Sequence, residues 1–265
     1  MTTETAVHAV RSADGTSIAF ERRGRGPAVI LVDAAGGFRG FGPMGPLADV
    51  LAPQFTVFTY DRRGRGESGD TPPYAIEREI EDIEVMLEVA GGSANLYGTS
   101  SGAALALQAT AVGLPVTKLA LWEPPYILDE NARPPKDQIE QYETMVAEGR
   151  RGDAAEYFMT KVVGMPPEFA AQARTEPWWP NQEALAHTLA YDARIMGDYS
   201  LPTDQAASVK VPTIVIAGGA DMPFMRETAQ ALADAIPDGQ VRLLDGQGHD
   251  VDPKVLAPTL KEFFE

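Results

Sequence analysis

Apolar residues gather in short runs along the chain: "VHAVR" and "SIAFER" near the start, then "PAVILVD", "QFTVFTYD", "SANLYG", "TKLALWE", "VPTIVIAGG" and "GQVRLLD". Each run has strand length and is rich in β-branched or aliphatic side chains. From residue 27 onward the runs are continuous rather than alternating, the signature of strands covered on both faces in a parallel sheet. Helical periodicity fills the gaps. Over 76–91, Ile76, Ile80, Ile83, Leu87 and Ala90 recur at intervals of four and three, while Glu77, Glu81, Glu84 and Glu88 take the other face. "SGAALALQATAV" and "MRETAQALADAI" follow strands in the same way, and "DPKVLAPTLKEFF" closes the chain. This alternation predicts an α/β fold with a mostly parallel, doubly wound sheet.

The rhythm breaks between about 124 and 205. "PPYILDENARPP" opens that stretch, helical segments follow around 136–149, 152–163, 167–174 and 181–195, and no strand pattern appears. Helices inserted between two sheet strands predict a cap or lid over the strands' carboxyl ends. The expected organisation is a core domain in two parts, 1–123 and 206–265, with a helical cap over 124–205.

Charge narrows the partners. The 265 residues carry a formal charge of -16, so binding to nucleic acid or an anionic membrane would work against the field of the whole molecule. That disfavours a nucleic-acid reading of "RRGRG", which occurs at 22–26 and again at 62–66. The second copy runs on to "GRGESG", a literal G-x-G-x-x-G, but "DTPPY" follows it. Two prolines there prevent a helix from opening on the last glycine, so it fails as a dinucleotide fingerprint. The chain has no cysteine, which excludes disulfides, thiolate metal sites and cysteine nucleophiles. No H-E-x-x-H or EF-hand spacing is present, so no metal or cofactor is implied. "MTTETAVHAV" lacks the basic and apolar regions of a signal peptide, and a cytoplasmic monomer or homodimer acting on a small-molecule substrate is expected.

The strongest local signal is "LYGTSSGAALAL". Gly98-Thr99-Ser100-Ser101-Gly102 is G-x-S-x-G, preceded by an apolar strand and followed by a small-residue helix. A nucleophile on such a turn sits in a strained backbone conformation, at a helix N-terminus that favours developing negative charge. Ser100 needs a base, and the chain has three histidines. His8 lies in the first strand pattern, and His187 lies in a cap helix, where packing or solvent exposure is the plainer role. His249, in "LLDGQGHDVDP" after the last strand, belongs at the same carboxyl edge as Ser100 and is the base candidate. A carboxylate must fix its tautomer. Asp221, directly after the strand in "IVIAGGADMPF", is preferred, and the order Ser100, Asp221, His249 suits this architecture. Glu123, at the end of the strand in "LALWEPP", is the rival.

With these motifs the chain resembles the α/β-hydrolase superfamily over nearly its whole length. "YDRRGRGES" resembles the loop after that fold's fourth strand, "YGTSSGA" its nucleophile elbow, "GGAD" its acid loop and "GHDVDP" its histidine loop. The resemblance implies an oxyanion hole made by the backbone N–H groups of Ala35 and Ser101. One position departs from it: where the third strand commonly ends in His-Gly, this chain reads Asp33-Ala34. An ionised Asp33 would oppose a nearby oxyanion, whereas one buried in hydrogen bonds would be structural.

Phe38, Phe41, Trp122, Tyr126, Trp178, Trp179, His187, Tyr191, Met222 and Phe224 are candidates for a pocket suited to an apolar or aromatic substrate. The first functional expectation is a serine esterase or lactonase working through an acyl-enzyme. Alternatives with the same residues are a carbon–carbon bond hydrolase or a cofactor-free perhydrolase. A non-enzymatic receptor or signalling protein on the same scaffold is the reading from another class. Epoxide hydrolases and haloalkane dehalogenases of this fold use a carboxylate where this chain has Ser100, which sets them aside.

Overall fold

A computed structural model describes residues 6–265; the first half of the stretch read for a leader, residues 1–5, lies outside them. All eight apolar runs are strands: β1 (Val7–Arg11), β2 (Ser17–Gly24), β3 (Ala28–Val32), β4 (Thr56–Tyr60), β5 (Ala94–Thr99), β6 (Val116–Trp122), β7 (Thr213–Gly218) and β8 (Gly239–Leu244). They form one sheet in the order β1-β2-β4-β3-β5-β6-β7-β8. The pairs β1–β2 and β2–β4 are antiparallel, and every other pair is parallel. The central strands are buried along their whole length, as their continuous apolar character requires. β8 is the exception: it closes one edge and alternates between half-buried and exposed positions.

Helices α1 (Met44–Leu51) and α11 (Pro253–Phe264) pack together on one face, and α2 (Ile76–Val89), α3 (Ser101–Ala111) and α10 (Pro223–Ala235) cover the other. Helix α1 has no counterpart in the sequence reading, because Gly45 and Pro46 in "PMGPLADVL" suggest a loop. A proline is tolerated there because first-turn N–H groups have no helical acceptor. The 76–91 periodicity is realised with Ile83, Met86 and Leu87 buried.

Between β6 and β7 the chain is helical: α4 (Gln138–Ala147), α5 (Arg151–Tyr157) running into a π turn (Phe158–Val162), α6 (Pro167–Ala173), α7 (Trp179–Leu185), α8 (Leu189–Met196) and α9 (Thr203–Ser208). Tyr142, Met145, Ala154, Ala186, Leu189, Ala190 and Ala193 give this insertion a small core of its own. No helix among the described residues is long and apolar enough to cross a membrane.

Candidate active site

Ser100 follows β5 directly and caps α3 with φ 51° and ψ -125°. A serine does not hold such a backbone without support. Its own N–H donates to the Trp122 carbonyl at 2.8 Å, and its carbonyl accepts from Ala103 N–H at 2.9 Å. The flanking glycines let strand and helix close on each other. A Cβ on Gly98 would lie 2.5 Å from the Gly102 carbonyl oxygen, and one on Gly102 would lie 2.5 Å from those of Val32 and Asp33. Among the described residues only Ser100, Glu123 and Tyr199 combine a side chain with positive φ. Backbone strain of this kind concentrates at functional sites, and all three residues border the same region.

A cavity of about 620 Å³ opens there, and Ser100, His249 and Asp221 all line it. His249 sits on the loop between β8 and α11. Its carbonyl accepts the indole N–H of Trp122 at 2.9 Å. Its Nδ1 lies 2.7 Å from Glu123 Oε2 and 3.9 Å from Asp221 Oδ2. The hydrogen bond to Nδ1 thus falls to Glu123, and the preferred Asp221 stands one step further away. Strand β6 lies between β5 and β7, and Glu123, just beyond its end, is buried beneath the imidazole. Asp221, beyond β7, bends back so that its Oδ1 accepts the Met222 N–H at 2.6 Å. The other Glu123 oxygen accepts the Gly218 N–H at 2.7 Å, so both of its oxygens are held. Burial raises the Glu123 pKa, partly offset by His249. For His249, burial acts to lower the pKa, but Glu123 and then Asp221 outweigh it, and the net shift is upward.

Ala34, Ala35, Gly36 and Gly37, on the loop after β3, line the same cavity as Ser100. Ser101 N–H stands in the first turn of α3 with no helical acceptor. Ala35 N–H already donates to Ser101 Oγ at 2.9 Å. Asp33 is 2% exposed and its Oδ1 accepts the Ala34 N–H at 2.8 Å. Its Oδ2 has no protein partner, and burial pushes its pKa up to about 6. It is thus neither a solvated charge nor a fully hydrogen-bonded structural group.

Of the predicted pocket residues, Phe41, Met222 and Phe224 line the cavity. The others do not. Phe38 pairs its backbone with Phe41 and lays its ring against Gly40. Trp122 is wholly buried in the core between the sheet, α1 and α11. Tyr126 is buried in the core on the opposite face. Trp178 stacks behind Phe41 at 6.4 Å, and Trp179 is buried with the Arg174 guanidinium over its ring at 5.6 Å. His187 and Tyr191 line a separate, smaller cavity with Tyr74. Trp122, Tyr126 and Trp179 are thus packed inside the protein rather than set in the cavity wall. Much of the lining missed by the sequence reading comes from the insertion, namely Ile127, Phe158, Val162, Val163, Met165 and Tyr199, and the core adds Leu47, Tyr97, Met225, Val251 and Leu256.

The second RRGRG is not a solvated loop. Arg62, Arg63 and Arg65 are almost wholly buried. Arg62 makes a bidentate pair with Glu79 at 2.7 and 2.8 Å and reaches Asp192 at 2.7 Å. Arg63 makes one with Asp82 at 2.8 Å through each nitrogen. Glu79 and Asp82 lie three apart on α2, and that spacing was the one available signal. In the first copy Arg22 and Arg25 are exposed, but Arg23 folds onto Glu21 and Asp49 at 2.7 Å.

The alpha/beta hydrolase family model matches residues 29–259, and the chain belongs to that family. An alpha/beta hydrolase from Sphaerobacter thermophilus DSM 20745 is 53% identical, covers 97% of this chain and 100% of its own, and superposes with a TM-score of 0.91. A thermophilic esterase from Thermogutta terrifontis is 23% identical, with 97% of each chain covered and a TM-score of 0.70, which speaks for the fold alone. The uncharacterized hydrolase YraK of Bacillus subtilis (strain 168) is 34% identical over 97 residues, so the match spans only 35% of either chain.

Proposed function

We propose that the protein is a serine hydrolase that cleaves a neutral, apolar carboxylic ester or lactone through an acyl-enzyme. The observation that carries this reading is a strained Ser100 that lines an apolar cavity together with His249. Ser100 Oγ attacks the carbonyl carbon as His249 Nε2 takes its proton. Glu123 holds the Nδ1–H and stabilises the imidazolium. The Ser101 N–H receives the oxyanion, and Ala35 N–H, which donates to Ser101 Oγ at 2.9 Å, shares its hydrogen with it in a three-centre bond. The imidazolium then protonates the leaving oxygen, and a water deprotonated by His249 releases the acid and restores Ser100.

The helical insertion serves as the lid, since it supplies much of the apolar lining. Among the described residues no lysine or arginine lines the cavity, whereas Asp33, Asp221 and Asp250 do, together with an Asp192 whose charge is paired with Arg62 and Arg65. That favours uncharged substrates and weighs against those that carry a carboxylate. Turnover of short-chain aryl esters tests the proposal. Wild-type protein should hydrolyse them, and Ser100→Ala should lose roughly 10⁴-fold or more in kcat. A folded wild-type protein with no esterase or lactonase turnover would sink it in favour of a receptor.

A further inference from the structure

Ala35 N–H, the expected oxyanion donor, belongs to a closed ring of buried hydrogen bonds. It donates to Ser101 Oγ at 2.9 Å. Ser101 Oγ–H donates to Asp192 Oδ1 at 2.8 Å. Asp192 Oδ2 accepts from Arg65 Nη2 at 2.5 Å, and Arg65 Nη1 donates to the Ala34 carbonyl. That carbonyl and Ala35 N–H are the two ends of one peptide unit, which is planar and nearly always trans. The ring therefore grips the peptide at both ends. A second tie sits beside it: Arg62 Nη1 reaches Asp33 O at 3.2 Å as well as Asp192.

Asp192 is on α8, in the helical insertion; Ser101 is on the elbow, and Arg65 is on the loop after β4. Burial acts to raise the Asp192 pKa, but Arg62 and Arg65 outweigh it and the carboxylate stays ionised. A hydrogen-bonded ring in so dry a place is stiff, even with Arg65 Nε left without a partner among the described residues.

We propose that Asp192 is a positioning residue for the oxyanion hole: through Ser101 Oγ and Arg65 it sets the plane of the Ala34–Ala35 peptide. The inference rests on the hydrolase reading above. Its consequence is that the lid does more than shape the substrate cavity. Undocking α8 removes the group that aims an oxyanion donor, so the hole is complete only when the insertion is seated.

Asp192→Asn leaves Arg62 and Arg65 short of a counter-charge and threatens the fold, so Ser101→Ala is the primary variant. It deletes one hydroxyl and leaves the ion pairs in place. The probes are an aryl trifluoromethyl ketone, which forms an oxyanion adduct with the serine, and the matching methyl ketone. Expected for Ser101→Ala are a kcat roughly 10–100-fold lower at near-constant KM, and an equal drop in the preference for the fluorinated ketone. Ser101→Thr, which keeps a hydroxyl, should restore most of both. Faster hydrogen exchange at the Ala35 amide in Ser101→Ala would report the lost bond directly. Unchanged ketone preference in Ser101→Ala, with wild type active, overturns this assignment alone. Wild-type protein that forms no adduct and turns over no ester overturns the hydrolase reading and this one with it.

Discussion

Replacing Glu123 by glutamine should disable the base by reversing its tautomer. Glu123 Oε1 accepts the Gly218 N–H at 2.7 Å while Oε2 faces His249 Nδ1 at 2.7 Å. In the variant the amide oxygen must keep the Gly218 bond, because a buried N–H left without an acceptor is costly. The amide NH₂ then points at Nδ1 and donates to it. The imidazole is forced to carry its proton on Nε2, where it cannot receive one from Ser100. A tautomer lock of this kind costs about 10⁴ in kcat in the best-studied serine protease triad, or about 5 kcal/mol of barrier. Asp221→Asn, 1.2 Å further from Nδ1 in the parent (3.9 against 2.7 Å), should lose less than about 10-fold, because Glu123 still fixes the ring. The assay is steady-state hydrolysis of an aryl ester across pH. Net, Glu123 and Asp221 raise the His249 pKa against the opposing effect of burial. The acid limb of kcat/KM should therefore lie above the ordinary histidine value in wild type, and move to lower pH in any residual activity of Glu123→Gln. A larger loss in Asp221→Asn than in Glu123→Gln would refute this reasoning and return the acid's role to Asp221.

Two further outcomes follow from the carboxylates. The buried Asp33 has a pKa of about 6, above the unfolded value, so the folded state favours its protonated form. Its contribution to stability is fully present below about pH 4 and is lost as pH rises to about 6, on the order of 3 kcal/mol. Asp33→Asn should therefore gain in Tm relative to wild type as pH goes from 4 to 7; thermal melts with a constant difference would remove Asp33 as the cause. The cavity's negative lining should make an ester with a free carboxylate at least roughly 10-fold poorer in kcat/KM than its methylated counterpart. Paired kinetics that show a preference for the acid would contradict the neutral-substrate assignment.

Much of this arrangement could be read from the chain. Apolar runs such as Ala28–Val32 and Thr213–Gly218 are strands because both faces are covered, and that leaves a one-dimensional trace. That Ser100 and His249 come to one cavity was legible, because the turn at Ser100 is built from consecutive residues and the His249 loop follows a recognisable strand. The partner of His249 was not, since the choice depends on how two neighbouring strand ends tilt, and both end in a carboxylate. The buried arginines 62, 63 and 65 were hidden for a related reason: arginines in a glycine-rich loop suggest solvent until their acids, 17, 19 and 127 residues away, are brought beside them. Phe41 and Phe224 reach the cavity, whereas Trp122, Tyr126 and Trp179 do not because they satisfy packing first. Composition alone does not separate that packing from ligand contact.

Every step proposed for this site requires Ser100 to be an activated nucleophile. Wild-type protein treated with a fluorophosphonate, then digested and mapped by mass spectrometry, should carry one phosphonate on Ser100. Ser100→Ala should carry none, and Glu123→Gln should label far more slowly. Folded wild-type protein that stays unlabelled, or a label on another serine with Ser100 untouched, would contradict the account.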